Sequence, residues 1–136
     1  MKNLTEPGVV SRAITWLSNN GYRNIKSKAL KEHGVDIVAN TKYGRFVYVE
    51  CKGEARRNSQ RENNFVYAIG QIVTRMSHSE YQSYGLVYPH SYHSKLKRFP
   101  WQFAKRNNVF VLLISDRDKI KKYDWKELKK IQTSSK

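Results

Sequence analysis

Apolar residues recur at helical spacing near the beginning of the chain. Between about Thr5 and Asn20 they stand three or four positions apart, and the Asn-Asn-Gly sequence at 19–21 supplies a stop signal. This pattern predicts an amphipathic helix whose apolar positions are Val9, Val10, Ala13, Ile14 and Leu17. The segment that follows, Tyr22 to Leu30, is diluted by lysines and predicts a weak strand at best.

Two strongly alternating segments come next, joined by a short polar turn. They are VDIVAN and FVYVECK, and the turn between them is TKYGR. Both are rich in β-branched and aromatic residues, which predicts a β-hairpin. With the turn centred near Tyr43, Asn40 pairs with Phe46, and Asp36 then lies opposite Glu50.

The rest of the chain predicts a second helix, two apolar strands and a basic tail. Apolar residues at spacings of three and four from Phe65 to Met76 indicate a buried helix face. YGLVY and VFVLLI are typical of strands, with a helix broken near Pro100 between them. From about residue 117 we expect a basic tail with a helical turn at WKELKKI. Because no linker or repeat divides the chain, residues 1–136 are predicted to form one α/β domain, a central mixed sheet flanked by helices.

The chain carries a large excess of positive charge. Its 136 residues include 26 Lys and Arg against 11 Asp and Glu, a net charge of +15. A field of this size favours nucleic acid as the partner. One cysteine, Cys51, cannot form an internal disulfide, and no signal-like segment is seen, so a reducing, cytoplasmic setting is expected. No apolar run approaches the roughly 20 residues that span a bilayer, and we expect no membrane partner.

Asp36, Glu50 and Lys52 are predicted to share one face of the hairpin. Successive side chains of a strand point to opposite faces. The other face, which can pack on a helix, is formed by Val35, Ile37, Ala39, Val47, Val49 and Cys51. Carboxylates opposed across two strands, about 5 Å apart at Cβ, repel unless something positive lies between them. Mg²⁺ meets that need, because it binds through one or two carboxylates, water and substrate phosphate. Lys52 then lies close enough to orient a water on that metal or to stabilise charge on a phosphate.

The segments GVDIVA and VYVECKGE resemble the signature of the PD-(D/E)XK nuclease superfamily, which includes type II restriction enzymes, Mrr-type nucleases and Holliday-junction resolvases. The resemblance extends from about Glu6 to Tyr88, with a valine where the signature has proline. It implies a restriction-endonuclease-like fold whose core has the order αβββαβ. It also implies a Mg²⁺ cofactor, for which Mn²⁺ substitutes.

The same resemblance implies a role for each residue of the motif. Asp36 and Glu50 correspond to the two acidic metal ligands, and Lys52 corresponds to the catalytic lysine. The main-chain carbonyl of Cys51, between the last two, commonly completes the metal site in this family.

Three further positions correspond to residues that only some relatives carry. A glutamate on the first helix reaches the metal in many relatives, and Glu6 stands in that segment; alternatively, its charge simply favours the helix N-terminus. Gln71 corresponds to a catalytic glutamine of several subfamilies, or it only borders the buried face of its helix. Four positions later the family has an aromatic residue, whereas this chain has Arg75, which we interpret as a phosphate contact.

Arginines and aromatic residues supply candidate contacts to DNA. Arg56, Arg57 and Arg61 belong to EARRNSQRENN, which we predict to be a loop between the lysine strand and the second helix. Such a loop either grips phosphates or is an ordinary surface loop. Six aromatic residues are either platforms for bases or core or interface residues: Tyr81, Tyr84, Tyr88, Tyr92, Trp101 and Trp125.

Together these features predict a Mg²⁺-dependent DNA endonuclease that hydrolyses phosphodiester bonds, of the restriction-like, junction-resolving or mobile-element type. One small domain has one site and cuts one strand, so we expect a homodimer or a higher symmetric assembly. Two alternatives stay open: a non-catalytic nucleic-acid-binding module on the same fold, and a small basic RNA-binding protein.

Overall fold

The computed structural model of the protein describes residues 4–28, 34–76 and 82–134. Within these ranges six strands form one sheet, and their order across the sheet follows the sequence. They are β1 (Arg23–Ser27), β2 (Ile37–Asn40), β3 (Phe46–Cys51), β4 (Gln82–Pro89), β5 (Val109–Ile114) and β6 (Ile120–Tyr123). β1, β2 and β3 are antiparallel, β3, β4 and β5 are parallel, and β6 is antiparallel to β5.

Helices cover both faces of the sheet. One face packs against α1 (Glu6–Asn19), and the other packs against α2 (Asn58–Val73), a 3₁₀ segment (His90–Arg98), α3 (Trp101–Asn107) and α4 (Trp125–Thr133). The prediction of an α/β fold with a central mixed sheet flanked by helices is confirmed. The elements from α1 to β4 follow the αβββαβ order that the resemblance implies. In the part of the chain that is described, no helix has both the length and the apolar character needed to cross a bilayer.

α1 forms because its first turn and its apolar stripe both favour a helix. Oγ1 of Thr5 accepts a hydrogen bond from the N–H of Gly8 at 3.2 Å, and Pro7 lies in the first turn, where its missing N–H has no cost. The buried side chains of the helix are Val9, Ala13 and Leu17. They pack on the apolar face of the hairpin, which leaves Asp36 and Glu50 on the opposite face.

The β2–β3 hairpin has the register that the sequence predicts. Asn40 pairs with Phe46, and Ile37 pairs with Val49. Inside the turn, Oγ1 of Thr41 accepts hydrogen bonds from two backbone N–H groups. The next position along this ladder brings the two candidate carboxylates opposite each other.

The weak strand predicted after α1 is present as β1. It lies at the edge of the sheet, and its pairing with β2 shifts register between Arg23 and Lys26. The predicted end of this strand, Leu30, lies outside the described residues.

The segment EARRNSQRENN was predicted to be a loop, but only its first residues are one. α2 begins at Asn58, so Arg61 is helical, while Arg56 and Arg57 lie in the short connection that precedes the helix. The sequence did not indicate the beginning of this helix because its first turns are polar. Its buried apolar residues begin at Phe65.

The C-terminal segment is folded and is not a basic tail, which corrects the prediction. β6 extends the sheet, and Tyr123 at its end is buried. Asp124 then caps α4 by accepting a hydrogen bond from the N–H of Glu127 at 3.0 Å, and Leu128 is fully buried. The lysines that suggested a tail lie on the exposed faces of these elements.

Candidate functional site

Asp36 and Glu50 lie side by side at the end of the hairpin opposite the turn. Asp36 immediately precedes β2, and Glu50 stands in β3, one position beyond the pair of Ile37 and Val49. Asp36 is 5% exposed and Glu50 is 1% exposed. Their side chains hydrogen-bond to each other. The register therefore brings the two acidic groups into direct contact, as the sequence predicts.

Two cations and one backbone amide surround this pair. Nζ of Lys28 lies 3.2 Å from Oδ1 of Asp36, and Nε of Arg75 lies 3.7 Å from Oε1 of Glu50. The N–H of Cys51 donates to Oδ2 of Asp36 at 2.7 Å. Because this amide belongs to β3, the bond fixes the Asp36 carboxylate against the strand that carries Glu50. The sequence did not indicate the contact of Lys28 with Asp36. It suggested a phosphate contact for Arg75 but not the ion pair with Glu50.

Two buried oxygens lack a donor. Oε1 of Glu50 and Oε1 of Gln71, on α2, have no hydrogen-bond partner among the described residues. A buried polar atom left in this state costs about 1–3 kcal/mol. Both atoms are acceptors, so each can be satisfied by a cation or by an ordered water.

The pKa of Glu50 is raised from 4.5 to about 8. Burial is the main cause, and the repulsion and the hydrogen bond from Asp36 act in the same direction, whereas Arg75 and Lys28 oppose them. Without a cation the pair therefore retains a proton near neutral pH. A divalent cation can replace that proton, because it supplies positive charge at the same place.

Lys52 lies just beyond the pair, at the end of β3. Its backbone N–H donates to the carbonyl oxygen of Val87 at 3.0 Å and continues the ladder with β4. Its ammonium lies 3.9 Å from Oε1 of Glu6 and 4.7 Å from the centroid of the Tyr67 ring. Its side chain is 16% exposed. An anion and an aromatic face therefore hold this lysine, unlike a typical surface lysine.

Glu6 contacts Lys52 from the first turn of α1. In the described part of the chain, no three His, Cys, Asp or Glu side chains converge where they could hold a metal. Glu6 forms an ion pair with Lys52. A metal-binding role for Glu6 stays a prediction.

Tyr67 is a member of the site that sequence reasoning missed. It stands four positions before Gln71 on α2, so both side chains lie on the same side of the helix. Tyr67 is 62% exposed while its ring contacts Lys52. Its spacing of four positions from Gln71, which puts both residues on one side of a helix, was the signal available in the sequence.

The arginines expected to contact DNA differ in their surroundings. Arg56 and Arg57 are exposed. Nη2 of Arg61 donates to the carbonyl oxygen of Ala55 at 3.1 Å and lies 3.7 Å from Oε1 of Glu54. Arg61 therefore organises the connection between β3 and α2, and its position does not support a phosphate contact.

Gly53, directly after Lys52, is packed against the beginning of α1. A Cβ at this position would lie 2.6 Å from the backbone nitrogen of Glu6 and 2.9 Å from the carbonyl carbon of Thr5. Neither atom can move unless α1 shifts. We therefore expect Gly53→Ala to lower the free energy of unfolding by about 1–3 kcal/mol, measured by chemical denaturation, and to move Glu6 away from Lys52.

Gly70→Ala is the matched control for this substitution. Gly70 lies inside α2, and a Cβ there would meet no atom within 4 Å. Since alanine is favoured over glycine in a helix by about 1 kcal/mol, this variant is expected to be at least as stable as wild type. Equal destabilisation by the two substitutions would contradict the close packing at Gly53.

The donor set fits a hard divalent cation. Asp36 and Glu50 supply carboxylate oxygens, one of which has no hydrogen-bond partner among the described residues, and Mg²⁺ needs only one or two carboxylates besides water and phosphate. The Cys51 thiol does not belong to this set, because it lies in the cluster that faces α1 and burial raises its pKa well above the usual value. Its main-chain carbonyl stays the predicted third ligand.

The fold and the site thus define an α/β protein with a mixed sheet and a buried carboxyl pair at a hairpin end. The sequence matches no protein-family model and no curated protein. Similar solved structures include an XisH family protein from Nostoc punctiforme, with 18% identity, a TM-score of 0.49, and coverage of 85% of this chain and 98% of that chain. They also include an FdxN element excision controlling factor protein from Anabaena variabilis, with 18% identity, a TM-score of 0.48, and coverage of 83% and 95%. At this level of similarity neither protein indicates a function for the chain.

Proposed function

We propose that the protein is a DNA endonuclease that hydrolyses phosphodiester bonds with a divalent cation, Mg²⁺ or Mn²⁺. The observation that carries this proposal is the buried pair of Asp36 and Glu50, followed by Lys52 one strand repeat further along. Two buried carboxyl groups in contact are unfavourable for stability, and such perturbed groups are concentrated at functional sites. The net charge of +15 favours a polyanionic substrate.

In this proposal Asp36 and Glu50 hold the cation together with the carbonyl of Cys51. A bound ion would lower the pKa of a coordinated water and offset negative charge on the phosphate. The bond from the Cys51 N–H fixes Asp36 in advance. Lys28 and Arg75 balance the carboxylates before the ion binds, and with 32% and 34% of their side chains exposed they can turn toward a DNA phosphate.

Lys52 positions the attacking water and stabilises charge on the phosphate in this mechanism. Its ammonium can donate three hydrogen bonds, and Glu6 and Tyr67 hold that ammonium in place before DNA binds. Gln71, with its unpartnered oxygen, is a second candidate for holding water or substrate. Arg56 and Arg57 are the proposed phosphate contacts beside the site.

A homodimer or a higher symmetric assembly is part of the proposal. One site addresses one phosphodiester, so cleavage of both strands or of a four-way junction requires two sites related by symmetry. Sedimentation velocity with and without DNA measures the assembly. A monomer in both conditions would restrict the activity to single-strand nicking.

A cleavage assay tests the function. Wild type and Asp36→Asn are incubated with supercoiled, linear and four-way-branched DNA in Mg²⁺, in Mn²⁺ and in EDTA. We expect wild type to nick or cleave at least one substrate with either metal and none in EDTA, and Asp36→Asn to be inactive. Asp116→Asn, at an exposed position, is the control and should retain activity. Cleavage by wild type in EDTA, or none with metal, would contradict the proposal.

A DNA-binding module without turnover is the second candidate. The observation in its favour is that Lys28 and Arg75 already balance the carboxyl pair without a metal. This candidate predicts DNA binding that is unchanged by Mg²⁺ and by Asp36→Asn, with no nicked product on any of the three substrates.

A further inference from the structure

A basic surface separate from the carboxyl pair lies on α3 and α4. We call it the α3–α4 surface, and it consists of Trp101, Lys105, Trp125, Lys126 and Lys129. The three lysines are exposed, and both tryptophans pack partly buried against the core cluster that also contains Phe65 of α2. The surface therefore lies on the same side of the sheet as α2 and the carboxyl site.

Two indoles hold the three ammonium groups in place. Trp101 and Trp125 stack with their ring centroids 5.8 Å apart. Over the Trp125 ring, Nζ of Lys105 lies 4.6 Å and Nζ of Lys126 lies 5.8 Å from the centroid, and Nζ of Lys129 lies 4.7 Å from that of Trp101. These contacts restrict the lysines, so less conformational entropy is lost when they bind an anion.

The indoles themselves are not platforms for bases. Each ring already contacts the other indole and at least one ammonium, and both are packed on the core. Base stacking requires an accessible aromatic face. Of the two interpretations that the sequence leaves open, the structure favours core residues, and the surface presents cations rather than rings.

The position of the surface suits a long polyanion that also reaches the catalytic site. Neighbouring strands are about 4.8 Å apart, so β5 and β6 lie roughly 10–15 Å from β3, and α3 and α4 pack beside them. Duplex DNA carries a charge about every 1.7 Å of its axis and can cover that distance. A lipid surface fits less well, because the apolar side of α4 is directed into the core, where Leu128 is fully buried.

We propose that the α3–α4 surface is a sequence-independent binding site for the phosphate backbone of duplex DNA. The choice of DNA rests on the proposed function. The lysines contact phosphates, the indoles hold the lysines in place, and the surface retains the substrate outside the catalytic site.

The test compares two triple variants with the same change in charge. Lys105, Lys126 and Lys129 are replaced by glutamine in the first, and the control replaces three exposed lysines elsewhere, Lys26, Lys42 and Lys122. Binding of a short labelled duplex is followed by fluorescence anisotropy in EDTA, where no cleavage occurs, between about 50 and 200 mM salt. Duplexes rich in A·T and in G·C, single-stranded RNA, and phosphatidylserine-containing vesicles are compared under the same conditions.

The first variant is expected to bind DNA at least about tenfold more weakly than wild type. The slope of log K against log salt should fall by about 0.9 for each lost contact, so by about 2–3, equally for both duplexes. The control variant should change less. Equal effects of the two variants, a loss restricted to one duplex, or a loss seen with RNA or vesicles but not with DNA would each overturn the proposal.

Cleavage separates this inference from the proposed function. In Mg²⁺ the first variant should need more DNA for half-maximal nicking while keeping the wild-type rate at saturation. If wild type does not cut, the proposed function fails, and the binding comparison in EDTA still decides the role of the α3–α4 surface.

Discussion

Replacing Lys52 by alanine is expected to slow Mg²⁺-dependent nicking of DNA by about 10²–10³-fold, the usual effect of removing one donor that stabilises developing charge. The ammonium lies at the end of the strand that carries Glu50, and Glu6 and Tyr67 hold it there. Its loss removes the group that positions water and stabilises charge on the phosphate. Single-turnover kinetics at saturating DNA measures the effect on chemistry apart from binding, which should be nearly unchanged.

Two further variants make this result specific. Lys52→Met keeps a long unbranched side chain without the ammonium and should be as inactive as Lys52→Ala, with circular dichroism used to check that both variants are folded. Lys26→Ala removes an exposed lysine of β1 and should cut like wild type. A Lys52→Ala enzyme that cuts at the rate of Lys26→Ala would exclude a catalytic role for Lys52.

The stability of wild type, without divalent cations, is expected to fall as the pH rises from about 4.5 to about 8, whereas Glu50→Gln should lack this component. The pKa of Glu50 is raised from 4.5 to about 8, so the folded state binds more protons than the unfolded state throughout that interval. The free energy of unfolding therefore decreases with rising pH and levels off above the folded-state pKa. Glutamine resembles the protonated acid, since its amide can donate to Asp36 at every pH.

Urea denaturation at a series of pH values, in EDTA and in Mg²⁺, measures this difference. Added Mg²⁺ should stabilise wild type at pH 8 more than it stabilises Glu50→Gln, because the variant keeps only one of the two carboxylates that would hold the ion. Glu127→Gln, on α4 beside Lys130, is the control and should follow wild type. Parallel curves for wild type and Glu50→Gln would show that Glu50 titrates normally.

The sequence predicted the centre of the site because the hairpin obeys local rules. Strict alternation and a five-residue turn left one register that places Ile37, Ala39, Val47 and Val49 on one buried face, and that register puts Asp36 opposite Glu50. The period of two then predicted that Lys52 follows on the same face. These inferences needed no knowledge of the rest of the fold.

The surroundings of the pair depend on distant contacts, and for that reason the sequence predicted them poorly. Lys28 reaches Asp36 only because β1 pairs with β2 at an irregular register, and Glu6 reaches Lys52 because Gly53 lets α1 approach. Arg61 lies in a segment whose composition suggests contacts to DNA. Its guanidinium instead donates to the carbonyl oxygen of Ala55, in the connection after β3.

The C-terminal segment was mispredicted for a different reason. β6 is a short edge strand whose exposed positions are lysines, and α4 buries Leu128 fully while showing several lysines to solvent. Few apolar residues among many charges are typical of a tail as well as of edge elements. Pairing with β5 and packing on the core decide between the two, and neither is local.

The most direct test of the central claim is crystallographic. Crystals of wild type grown with Mn²⁺ should give an anomalous difference peak between the carboxylates of Asp36 and Glu50, within coordination distance of both and of the Cys51 carbonyl oxygen. Lys28 and Arg75 should then have moved away from the carboxylates. A structure at saturating Mn²⁺ in which the two carboxyl groups still hydrogen-bond to each other, with no peak between them, would contradict the account.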